Sequence, residues 1–176
     1  SLNTITLVGP GIVWVTYTFT GLLGLSRGFV VEKDQDTLEG LLLAPVGRDA
    51  IYVGKVLGAF TVMTLVQAIM LPMFVVLHDL SLLSLWFIAI VLIATLGFAA
   101  VGTIFSAISV QTRARELMLP LLFLPVVLPV IIGAVAATNV ILQGGGWPEI
   151  GHWVQLLLVF DMVFLVISSL AFEYVL

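Results

Sequence analysis

The chain has 176 residues, of which 61% are hydrophobic and 9% charged, with a formal net charge of −4, whereas soluble domains carry roughly 45–50% apolar and about 25% charged residues. Its apolar residues come in runs about as long as the ~20 that cross a bilayer, so lipid rather than a soluble core must cover them. Six Lys and Arg leave no basic stripe for nucleic acid, and the absence of Cys removes disulfide frameworks, thiolate metal sites and thiol nucleophiles.

Apolar runs and their breakers predict an all-α, polytopic bundle of about five transmembrane helices in one membrane domain, residues 1–176. The spans run from Gly9 to Leu25, Ala50 to Leu77, Leu83 to Ser109, Leu117 to Ala137 and Trp153 to Val175. Between them lie a polar stretch from Ser26 to Asp49, a His78-Asp79 turn, the segment Gln111 to Glu116, and a Gly-rich loop around Gly144-Gly145-Gly146-Trp147-Pro148. The connections alternate in charge. Arg27, Lys33, Arg48 and Lys55 surround the first, Arg113 and Arg115 occupy the third, and the other two carry no Lys or Arg. By the positive-inside rule the basic connections are cytoplasmic, the N-terminus is outside and the C-terminus inside. Trp14, Trp86, Trp147 and Trp153 fall near the outer ends of spans, where amphipathic rings are expected at the headgroups. Lys55, a turn or two inside the second span, is expected to snorkel to the cytoplasmic surface.

The first cytoplasmic connection contains a pattern of its own over residues 32–45. Asp36 can cap a short helix and Glu39, three residues later, can reach back as in a capping box. Leu38, Leu41 and Leu42 then share one face, and Pro45 ends the run. An interfacial lipid-binding helix has a basic polar face, but this one carries Asp34, Asp36 and Glu39, which anionic lipids repel. An apolar ridge with acidic flanks suits a groove on a partner protein.

The order of elements resembles the type-2 family of ABC transporter permeases: a span, the acidic segment Asp36-Thr37-Leu38-Glu39-Gly40-Leu41-Leu42-Leu43-Ala44-Pro45, then Gly47-Arg48 and a helix opening on Tyr52-Val53-Gly54-Lys55. Within it the sequence is similar to the haem exporter B (CcmB) family of cytochrome c maturation. That similarity rests on Gly9-Pro10-Gly11-Ile12-Val13-Trp14-Val15, on Asp34-Gln35-Asp36, and on Arg115-Glu116-Leu117-Met118-Leu119-Pro120 through Pro129. The resemblance implies that the short helix is a coupling helix docking into a separate ABC ATPase. It also implies a second permease copy, haem-handling membrane subunits, a periplasmic haem chaperone and a bacterial inner membrane. Members of the family carry one more span before the first one here, which agrees with the outside N-terminus and makes an upstream segment expected.

The remaining candidates each have a plainer alternative. Gly144-Gly145-Gly146 is followed by no Lys to hold phosphate, so ATP is expected to act only through a partner chain. Arg113, Arg115 and Glu116 either contact that ATPase or simply set topology. Pro120, Pro125 and Pro129 free carbonyls that neighbours or water must satisfy, for gating or for packing. Gly54 with Gly58, and Gly102 with Ser106, offer small faces for close helix contact. Asp161 is the acidic residue well inside a span, and is expected to be protonated or paired with Gln67 or a hydroxyl. It makes a proton or substrate pathway an alternative, as in a self-sufficient carrier. His78 and His152, both at the outer face, are the imidazoles available to ligate haem iron. No firmly bound cofactor is expected, with haem a candidate substrate; a lipid, drug or polysaccharide is the alternative within the same class.

Overall fold

The computed structural model describes residues 2–34, 40, 43, 45–78, 84–110 and 115–175. These form α1 (Leu2–Asp34), α2 (Arg48–His78), α3 (Leu85–Val110), α4 (Arg115–Leu142) and α5 (Trp147–Val175). Each contains a stretch long and apolar enough to cross a membrane, which makes this a multi-pass membrane protein. With 26 to 33 residues apiece, the helices extend roughly 39–50 Å, beyond the ~30 Å hydrocarbon core. Their ends therefore project into the headgroup layers.

Two boundaries differ from the sequence reading for identifiable reasons. Helix α1 starts before Gly9, runs through Pro10 and continues to Asp34. Proline is tolerated inside membrane helices where it would break a soluble one, so the helix runs through Gly9-Pro10-Gly11 and Arg27 and Lys33 are helical, while its apolar stretch, Val8–Leu25, keeps to the expected span. Helix α5 begins at Trp147 rather than Trp153 because Pro148 falls in its first turn, where no amide hydrogen is needed. The glycines before it end α4 instead: Gly144 has φ 77°, its amide donates to the Ile141 carbonyl at 3.0 Å and that of Gly145 to Val140 at 2.9 Å. This is the paired-bond stop that a left-handed glycine allows. At the start of α3, Ser84 Oγ accepts from the Phe87 amide at 3.2 Å and caps the helix.

Helix α3 is the centre of the bundle and touches the other four. Its small residues explain why. Ala94, Ala99, Ala100 and Ala107 are fully buried, and a Cβ on Gly102 would run into Leu25 of α1 and Phe123 of α4. In lipid, where apolar transfer gives helices no reason to associate, such close backbone approach and interhelical hydrogen bonds provide the attraction. Gly54 and Gly58 behave otherwise. Both are exposed, and a Cβ on either meets nothing within 4 Å. The expected close contact is thus made at Gly102, with Ser106 buried one turn on, and not by the α2 pair.

Three contacts fix the up-and-down arrangement. Trp86 and Trp147 stack with centroids 5.0 Å apart, Trp14 Nε1 donates to Thr138 Oγ1 at 3.0 Å, and Arg48 Nη1 donates to the Glu173 carbonyl at 2.6 Å. Arg27 and Lys33 late in α1, Arg48 and Lys55 early in α2, and Arg115 opening α4 then lie toward one end of the bundle. Trp14 corrects the aromatic-belt expectation: it is 1% exposed and lies edge-on to Tyr17. Its indole is a core group because Thr138 supplies the acceptor that an interfacial Trp would find in water.

Candidate functional site: polar groups inside the spans

The first site is a hydrogen-bonded cluster joining α1, α2 and α3. Tyr17 Oη donates to Thr95 Oγ1 at 2.9 Å. Thr95 Oγ1 in turn lies 3.1 Å from Gln67 Oε1 and 2.5 Å from the Val91 carbonyl, which share its proton. Gln67 is 4% exposed. Tyr17 and Thr95 were not singled out in the sequence; their signal was a polar group at a position facing other helices. Beside the cluster opens a cavity of about 70 Å³ bordered by Trp14, Tyr17, Gln67, Met70 and Phe74. A second, wider cleft of about 500 Å³ separates α2 from α5, with Tyr52, Val56, Leu57 and Leu165 along it. Replacing Gln67 by Leu should leave insertion intact and lower stability by about 1 kcal/mol, the scale of interhelical polar contacts in membranes. Unfolding midpoints in micelles would register the change.

Asp161 forms the second site, on α5. It is 3% exposed, and neither carboxyl oxygen has a hydrogen-bond partner. Of the alternatives the sequence left open, pairing with Gln67 or with a hydroxyl is not seen among the described residues; Gln67 belongs to the Tyr17–Thr95 cluster. Instead the carboxyl lies over the bare backbone of Gly97: a Cβ there would stand 2.5 Å from Asp161 Oδ1 and 3.5 Å from a Phe160 ring carbon. Gly97→Ala should therefore destabilise by about 1–3 kcal/mol through overpacking. In an Asp161→Ala background most of that penalty should vanish, since contacting residues are not additive. A purely additive four-variant cycle would contradict the contact.

The other candidates are not brought together. His152 is exposed, with its ring 4.6 Å from that of Trp153, and His78 ends α2. Among the described residues no group of three or more His, Asp or Glu gathers as metal ligands would. Pro45 is exposed. Asp36, Leu38, Glu39, Leu41, Leu42 and Arg113 lie outside the described residues, as do the side chains of Asp34, His78, Arg115 and Glu116.

A family model described as CcmB protein matches residues 1–176. The chain belongs to the CcmB family. It is 31% identical over 131 residues to heme exporter protein B of Paracoccus denitrificans, covering 74% of this chain and 60% of that protein. Against heme exporter protein B of Rhodobacter capsulatus it is 30% identical over 126 residues, covering 71% and 58%. A third relative, heme exporter protein B of Pseudomonas aeruginosa, is 30% identical over 152 residues, covering 82% and 65%. This CcmB-family chain thus spans less than two thirds of the length of these relatives.

Proposed function

We propose that the chain is the membrane permease subunit of an ATP-driven complex that exports or releases haem for c-type cytochrome biogenesis. The observation that carries this reading is the family match over all 176 residues, and haem is taken from the name shared by the relatives. Its basic end faces the cytoplasm of a bacterial inner membrane by the positive-inside rule. The acidic, capped segment 32–45 belongs to that same end and docks a separate ATPase, which hydrolyses the nucleotide. Arg113, Arg115 and Glu116, in the other cytoplasmic turn, form a second contact. A second permease copy, haem-handling subunits and a periplasmic haem chaperone complete the complex.

Purification of the tagged protein from its native membrane in mild detergent, followed by mass spectrometry, tests this. An ABC ATPase and haem-handling proteins should be recovered with it; recovery of no ATPase overturns the proposal. The partnerless burial of Asp161 favours one second reading, a self-sufficient carrier using that carboxyl. The two separate cleanly, because Asp161→Asn abolishes transport by a carrier and leaves ATPase association by a permease unchanged.

A further inference from the structure

A carboxyl buried at membrane depth needs a hydrogen-bond donor, a cation or its own proton. Asp161 is 3% exposed, and among the described residues neither of its oxygens meets a donor. It lies over Gly97, which stands at the middle of α3 (Leu85–Val110), so the carboxyl is near the midplane of the bundle. The helices that touch α5 are α2, α3 and α4, and none brings a counter-charge to this level. Helix α3 contains no titratable residue. Helix α4 has Arg115 and Glu116, both in its first turn. Helix α2 has Arg48, Asp49, Tyr52 and Lys55 near its start and His78 at its end, and the Tyr52 hydroxyl donates to the Ala100 carbonyl at 3.1 Å. On α5 itself Glu149 and His152 lie more than two turns before Asp161, and Glu173 and Tyr174 more than three turns after it. A hard metal cation asks for six or more oxygens, and among the described residues no group of three or more His, Asp or Glu gathers. A proton is the one cation that a single carboxyl holds unaided.

We propose that Asp161 is a proton-binding site, and that α5 packs over Gly97 only while the proton is in place. Loss of the proton leaves a negative charge against apolar walls without a partner, so the carboxylate must leave the Gly97 contact to be solvated. Room for that movement adjoins the contact. The cleft of about 500 Å³ between α2 and α5 is bordered by Leu96, which precedes Gly97, by Leu165, one turn beyond Asp161, and by Tyr52 and Ser169 toward the basic end. The central helix and α5 are thereby joined at mid-membrane through a contact that responds to protons. This goes beyond both functional readings, because it concerns how α5 packs rather than what drives transport, and an ATP-driven permease and a self-sufficient carrier accommodate it equally.

Infrared difference spectroscopy of the full-length protein in bilayers, wild type against Asp161→Asn, reads the proton directly. At neutral pH, where an ordinary Asp is ionised, the wild type should show the carbonyl stretch of an un-ionised acid free of hydrogen bonds, and Asp161→Asn should lack it. A wild type without that band overturns the proposal. Hydrogen exchange read by mass spectrometry across a pH series then follows the packing, each sample being compared with Asp161→Asn at the same pH so that the intrinsic pH dependence cancels. Peptides around Gly97 and Asp161 should exchange as slowly as in Asp161→Asn while the band is present, and roughly a hundredfold faster once it is lost, the scale set by a charge at the centre of a membrane helix. Faster exchange with the band intact, or unchanged exchange after its loss, would break the link between proton and packing. If Asp161→Asn does not accumulate, peptides around Trp14 and Thr138, whose contact contains no carboxyl, serve as the reference within the wild type.

Discussion

A chain carrying Leu41→Asp together with Leu42→Asp should still insert into the membrane but no longer retain its ATPase. Two leucines buried in a groove contribute about 2 kcal/mol each, so losing both weakens association by roughly a thousandfold, before the cost of placing two carboxylates against apolar walls. Insertion should survive because added acidic residues have little influence on orientation, which Lys and Arg set. Leu43→Asp is the control: it falls on the other side of the short helix predicted from the sequence, and Leu43 is 86% exposed, so it should leave ATPase recovery unchanged. Co-purification measured for the three chains at equal membrane abundance reads the result. Full retention in the double variant would sink the docking role of residues 32–45.

The second large effect is expected in the core, where Trp14→Ala should lower stability by about 3 kcal/mol, the lower end of the range for losing a buried aromatic. The lower end applies because helices in lipid gain little from apolar transfer, leaving lost packing and the bond to Thr138 as the main terms. Trp14→Phe keeps most of the packing and gives up the indole donor, so it should cost only about 1 kcal/mol. Trp147 is 50% exposed, and Trp147→Ala should shift the unfolding midpoint far less than Trp14→Ala does. Reversed sensitivities would mean that the aromatic belt, rather than the α1–α4 contact, holds the helices.

A candidate docking segment and the core packing differ in how far the sequence points to them. The segment proposed to dock an ATPase stands out because capping, an i, i+3, i+4 leucine face and acidic flanks are local features of the pattern, complete within about ten residues. The polar cluster was only half readable. Gln67 stood out as an amide inside an apolar run, but its partners come from other helices, Tyr17 from α1 and Thr95 from α3. Asp161 was readable as an anomaly, while its neighbour Gly97 was not, since one glycine among several in a membrane helix carries no mark of what crosses it.

The sequence by itself determined the class, the number of apolar spans and the alternation of basic and non-basic connections. Those properties follow from hydropathy and charge counted along the chain, and a bilayer imposes them on any helix that crosses it. Only the tertiary structure decided which faces meet. It took Trp14 out of the headgroup belt, gave close packing to Gly102 instead of Gly54 and Gly58, and separated Asp161 from Gln67. With all helices apolar all round, periodicity cannot distinguish a face against lipid from a face against protein. In this bundle that choice rests on small side chains and cross-helix hydrogen bonds, which become visible only when residues distant in sequence are brought together.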